Sequence, residues 1–138
     1  MPHFSVWFSR SLVLTALVSS ACGSGRQLRT VSLNPPAADA QSFPGGKVPF
    51  VATGIFSDSP TPVTLTSKDV MWCIGASDGS CVGNINPGAT VDQTGMAQCN
   101  SGFVGTATIL AGKPSSVMGM PDTGSQLKVF GAAKLTCP

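Results

Sequence analysis

Five cysteines are the most reactive side chains in this 138-residue sequence: Cys22 near the N-terminus, then Cys73, Cys81, Cys99 and Cys137. Four thiolates can close a tetrahedral zinc site, but zinc-binding cysteines usually come in Cys-x-x-Cys knuckles, and none occurs here. Paired as disulfides, the downstream four instead require an oxidising compartment. General acid–base chemistry has little to draw on. The single histidine is His3 and there is no Glu, so removal of the N-terminus leaves no imidazole for a triad or a metal. Asp58, Asp69, Asp78 and Asp92 are scattered among turn residues without the alternating spacing of a calcium loop, and solvated turn roles are expected of them. Met71, Met96, Met118 and Met120 form no Met-x-x-Met run for a soft metal; Met71 and Met96 fall at strand positions, where packing explains them. No metal site and no cofactor follow.

Asp122-Thr123-Gly124-Ser125 reproduces the Asp-Thr-Gly-Ser signature of aspartic proteases, in which two aspartates share a proton and activate water. One copy would have to dimerise, so the enzymatic alternative is a small exported hydrolase using Asp122. In that family an apolar strand lifts the aspartate into the site. Here Met120-Pro121 precede it, and Pro-Asp-Thr-Gly is a turn sequence in its own right.

A net charge of +2 and 10% charged residues provide no field for nucleic-acid binding, while 42% hydrophobic content excludes disorder by composition. The N-terminus supplies an address. Arg10 precedes the apolar run Leu12 to Val18, which is too short to span a bilayer but fits a secretory h-region, so residues 1–21 read as a signal peptide. Ser19-Ser20-Ala21 before Cys22 admits two cleavages. An ordinary signal peptidase would leave a free thiol and a secreted protein. The stretch also resembles the bacterial lipobox, with Ser19 where that family has Leu, and lipidation of Cys22 would leave an even four cysteines for disulfides. Residues 22–29, beginning Cys22-Gly23-Ser24-Gly25, then form a flexible tether.

The elements that must position these groups are strands. Sixteen Gly and eleven Pro punctuate short β-type runs, and no 3.6-residue period persists, so residues 30–138 are expected to fold as one all-β sandwich. Candidate strands are Thr30–Leu33, Val48–Phe56, Val70–Ala76, Ala89–Asp92, Met96–Cys99, Gly105–Ala111 and Leu127–Thr136. Alternation puts Phe50, Ala52 and Phe56 on one face, and Val70, Trp72 and Ile74 on one face of another strand. Ala107, Ile109, Val129 and Leu135 complete the expected core. Trp72 facing inward turns Cys73 to the opposite side, where it cannot cross the sandwich. Its partner is then Cys81, across the turn-prone Ser77-Asp78-Gly79-Ser80. Parity in the last strand groups Cys137 with Leu127, Val129 and Leu135.

Thr30 to Pro35, then Gly45-Gly46-Lys47-Val48-Pro49-Phe50-Val51-Ala52-Thr53-Gly54, then Val70-Met71-Trp72 resemble the bacterial Ig-like domain, group 2. So do Ala89 to Asp92, Thr94 to Ala97 and Gly105-Thr106-Ala107-Thr108-Ile109, giving a resemblance over about residues 28 to 112. It implies an immunoglobulin-like sandwich of about seven strands, used outside the cytoplasm as a spacer or adhesive module, without a shared catalytic site. It also implies that Ala97 and Cys99 face inward, so that Cys99 can meet Cys137. The four cysteines and the stretch 113–126 depart from the family pattern. The expected protein is thus a non-enzymatic, disulfide-stapled lipoprotein of the cell envelope. Its partners are the membrane, through the anchor, and an extracytoplasmic protein or glycan. Loop contacts are expected at Ser77, Asp78, Ser80, Asp122 and Ser125.

Overall fold

Prolines and bulges decide how this chain divides into sheets in the computed structural model, which describes residues 25–83, 88–115 and 126–138. The first strand, β1 (Leu28–Asn34), takes in Leu28 and Arg29, which the sequence reading leaves in the tether. Leu28, Val31 and Leu33 are all buried, although Leu28 and Val31 break a two-residue period. A register shift between Leu28 and Thr30 turns the strand over at that point. After the cis Asn34–Pro35 peptide the chain leaves this ladder. Pro35 and Pro36 have no N–H with which to continue it.

The next strand, β2 (Ala37–Asp39), runs parallel to the last strand of the chain. Two 3-10 turns, Ala40–Ser42 and Pro44–Gly46, lead into β3 (Lys47–Pro49) and β4 (Val51–Phe56). The single strand expected over Val48–Phe56 is therefore broken at Phe50, whose N–H turns to the Gly95 carbonyl at 2.9 Å. That break lets β4 pair with β1 while β3 pairs elsewhere. β5 (Ser59–Thr64), absent from the sequence expectation, pairs with β4. Pro60 and Pro62, two residues apart, remove N–H groups from one edge only, which leaves the other edge for β4 and ends the sheet there.

Six further strands follow: β6 (Met71–Gly75), β7 (Cys81–Gly83), β8 (Ala89–Val91), β9 (Met96–Cys99), β10 (Gly105–Pro114) and β11 (Leu127–Cys137). Eleven strand segments thus stand among the described residues where about seven are expected. They form sheets ordered β1-β4-β5, β3-β9-β8 and β2-β11-β10-β6-β7, a sandwich-like all-β arrangement. No helix of the described residues is long and apolar enough to cross a membrane.

The main core includes Phe50, Ala52, Val70, Trp72, Ile74, Ala107, Ile109 and Leu135, all buried, with Phe56 and Val129 half-buried against it. Each large side chain of this set contributes about 1.5–3 kcal/mol by leaving water. A second, smaller cluster joins Cys73, Cys81, Leu110 and Leu127, with Met71 and Phe130 packed against them. Cys73, expected simply to face outward, is 0% exposed because this cluster covers it. Leu127 also departs from expectation, since it does not share the face of Val129 and Leu135. A register shift after the Lys113–Val129 pair, with Pro114 opposite Leu127, inserts Lys128 as an extra residue and reverses the parity.

Candidate functional site

The cysteines form two bridges, Cys73–Cys81 and Cys99–Cys137, each with Cα atoms 5.8 Å apart. The first sits in the small second cluster. The second ties β9 to the end of β11, and beside it the structure opens a cleft of about 340 Å³.

One wall of the cleft is built by the turns between β2 and β3. Asp39 Oδ1 accepts the Gln41 N–H at 2.9 Å, and Phe43 and Gly46 N–H groups close the two turns on the Ala40 and Phe43 carbonyls. Gly45 and Gly46 have φ of 65° and 67°, left-handed values that Gly adopts without penalty, and they turn the chain sharply behind Phe43. The facing wall is Gln98 to Phe103. Asn100 N–H donates to the Gly88 carbonyl at 3.0 Å, and Phe103 N–H closes a turn on Asn100 at 3.2 Å. The Phe103 ring packs so closely on Gly88 that a Cβ there would lie 2.7 Å from its Cζ. Phe43 and Phe103 are half-buried, Gln41, Gln98 and Ser101 are exposed, and no lining side chain carries a charge.

The cleft occupies one end of the fold and the beginning of β1 the other. β1 and β11 run side by side in the same direction: a Cβ on Gly131 would come within 2.8 Å of the Val31 oxygen, and Lys134 N–H bonds the Pro36 carbonyl at 3.0 Å. Leu28 and its partner Phe56 therefore stand at the Leu127 end, while Cys137 and its bridge stand at the opposite end. At about 3.3 Å per residue, β11 separates the two ends by about 30 Å.

At the first end the chain is pinned before β1 starts. The Arg26 guanidinium lies 3.9 Å from the Phe56 ring centroid, and its Nε is 3.2 Å from Asp58 Oδ1. Gln27 and Ser57 add a reciprocal pair: the Gln27 N–H donates to Ser57 Oγ at 3.2 Å, and the Ser57 N–H donates to the Gln27 carbonyl at 2.8 Å.

The aspartates hold turns together, which goes beyond the solvated role expected of them. Asp69 Oδ2 accepts the Thr66 N–H and hydroxyl, and these bonds keep its carboxyl below the ordinary 3.8. Asp78 Oδ1 accepts the Ser80 hydroxyl at 2.6 Å and the Ser80 N–H at 2.9 Å, with the same effect. For Asp92, desolvation pushes upward, but bonds from the Thr94 hydroxyl and from backbone N–H groups, including that of Met96, outweigh it.

Of the loop residues singled out in the sequence, Ser77 and Asp78 are exposed and Ser80 is half-buried. Their turn is fastened to the loop end of the β10–β11 hairpin: Gln126 Nε2 donates to the Asp78 carbonyl at 2.8 Å and Leu127 N–H to the Gly79 carbonyl at 2.9 Å. This turn belongs to the second cluster and not to the cleft. Residues 1–21, Cys22, Met118, Met120, Asp122 and Ser125 lie outside the described residues. Among the described residues, no group of three or more His, Cys, Asp or Glu is placed to hold a metal.

Sequence reasoning passed over the cleft because its residues lie in turns. The available signal was two phenylalanines set in glycine-rich turns, Phe43 before Gly45-Gly46 and Phe103 after Gly102, where alternation along a strand cannot account for them. The chain matches no protein-family model and no curated protein.

Proposed function

We propose that this chain is a non-enzymatic lipoprotein of the bacterial cell envelope, in which an immunoglobulin-like module related to the bacterial Ig-like domain, group 2, holds a contact surface away from its anchor. Strand order supports the immunoglobulin-like reading. β4 lies between β1 and β5, β3 pairs with β9, the long β10–β11 hairpin pairs with β6, and β2 crosses over to run parallel with β11. The inward Trp72 on β6 fits the same architecture.

The observation that carries the functional reading is the placement of the Arg26 clamp and the cleft at opposite ends of β11. With Arg26 clamped, only Gly23, Ser24 and Gly25 separate Cys22 from the folded unit, a reach of about 14 Å at full extension. A lipid on Cys22 would hold the Phe56–Asp58 turn close to a membrane and present the cleft about 30 Å farther out. Acyl chains contribute about 0.8 kcal/mol per buried methylene, enough with two or more chains for stable attachment.

Intact-mass analysis of the chain exported from a bacterial host tests this. The expected result is loss of residues 1–21, an acylated Cys22 and extraction only with detergent. A freely soluble product with an unmodified Cys22 would overturn the anchoring. Reproducible peptide hydrolysis that Asp122→Asn abolishes would overturn the non-enzymatic assignment.

A further inference from the structure

We infer that the cleft between Phe43 and Phe103 is a binding site for an uncharged saccharide. The inference rests on reading the domain as a binding module, and it follows from what the cleft offers and what it lacks. Carboxamides both donate and accept hydrogen bonds, as sugar hydroxyls do. Gln41 and Gln98 are exposed, and their side chains hydrogen-bond to nothing among the described residues. Ser101 adds a hydroxyl. Phe43 and Phe103 supply apolar ring surface, which suits the C–H faces of a pyranose because the polarised hydrogens meet the electron-rich ring. Val104, directly after Phe103, is 76% exposed and extends the apolar surface at this end of the fold.

An anionic ligand would need a cation in the lining, and no lining side chain supplies one. Lys47, opposite Gln98 in the β3–β9 ladder, stands outside it. The walls are fixed before a ligand arrives. The Cys99–Cys137 bridge ties one wall to β11, the Phe103 ring is seated on Gly88, and two closed turns set Phe43. Such preorganisation reduces the ordering cost that weakens binding of small polar ligands. A volume of about 340 Å³ lies within the range of small-molecule sites.

The test is a titration of the ¹⁵N-labelled protein, followed by amide and side-chain carboxamide shifts. The probes are tetrasaccharides of β-1,4-linked glucose, β-1,4-linked N-acetylglucosamine and α-linked mannose, with an acidic galacturonate tetramer as the charged arm. At least one neutral probe is expected to shift Gln41, Phe43, Gln98, Ser101 and Phe103 in a saturable manner. Gln41→Ala and Gln98→Ala, both at exposed positions that leave the fold intact, are each expected to weaken binding about tenfold. Phe103→Ala is expected to abolish it. Absence of saturable shifts with every neutral probe would overturn the inference. Shifts confined to another face, shifts with the acidic probe alone, or unchanged binding in both glutamine variants would do the same. None of these results bears on the lipid at Cys22, which the intact mass decides separately.

Discussion

The side-chain carboxamide of Gln93 closes both main-chain groups of Trp72: Oε1 accepts its N–H at 3.2 Å, and Nε2 donates to its carbonyl at 3.0 Å. β6 needs this because Trp72 has a strand neighbour on one side only. β10 pairs with it through Ala111, whereas β7 reaches no farther along β6 than Ile74 and Gly75. A loop glutamine thus stands in for a strand beside a deeply buried aromatic of the core.

Gln93→Ala is therefore expected to cost about 1–3 kcal/mol, since it leaves a part-buried N–H and C=O without partners. Urea unfolding monitored by Trp fluorescence measures this. A midpoint equal to that of the parent protein would show that water replaces the carboxamide without loss.

The same turn contains a glycine that nothing else can replace. Gly95 has φ of +87°, and a Cβ there would lie 2.3 Å from the Phe50 carbonyl oxygen and 2.7 Å from Trp72 Cζ2. Gly95→Ala combines left-handed strain with overlap against backbone and is expected to cost at least about 3 kcal/mol. Gly102 has a similar φ of +79° but open space around it, so Gly102→Ala should cost only about 1–2 kcal/mol. Comparable losses at the two sites would mean that backbone conformation alone, and not the Trp72 contact, sets the requirement.

The all-β class was legible because Val70, Trp72 and Ile74, and likewise Phe50 and Ala52, recur at two-residue spacing, and alternation is a local property of the chain. What escaped depends on pairings between distant segments. Phe50 ends one ladder because Gly95 offers it a carbonyl, and no feature between Val48 and Phe56 announces that. Leu127 changes face because of one extra residue beside Pro114, a bulge that only the partner strand defines. β5 was hidden by its prolines, which forbid a central strand but suit an edge. The cleft was the least legible part, since its walls are turns from separate stretches brought together by the end of β11. A sequence pattern records what each segment buries but not which turns end up facing one another.

The two disulfides should differ in weight. Chain-entropy arithmetic for separations of 8 and 38 residues gives about 2.5 kcal/mol for Cys73–Cys81 and about 4 kcal/mol for Cys99–Cys137. Paired Cys→Ala variants, compared by urea unfolding, are expected to show the greater loss for the Cys99–Cys137 pair. That variant is also expected to broaden the amide signals of Gln98 to Phe103, because the bridge holds their wall of the cleft. A greater loss from Cys73→Ala with Cys81→Ala would show that the small second cluster, in which that bridge is buried, matters more than loop closure.

Stability should fall in acid, and the three turn aspartates fix the direction. Asp69, Asp78 and Asp92 all have folded values below their ordinary 3.8, because the folded turns supply hydrogen bonds to the carboxylate form. A carboxyl whose value is depressed on folding contributes stability that is complete above its unfolded value and drains away as pH falls through the folded one. Unfolding free energy is accordingly expected to be nearly flat from neutrality down to about pH 5 and to decline below about pH 4. The combined Asp69→Asn, Asp78→Asn and Asp92→Asn variant keeps a side-chain oxygen to accept these bonds but cannot titrate. It should start less stable at neutral pH, having lost the charge-assisted bonds, and should then lose less on acidification, so that the two curves converge. Urea unfolding of both proteins at neutral pH, pH 5 and pH 3 distinguishes the outcomes. An unchanged slope below pH 4 in the triple variant would place the acid sensitivity outside these three turns.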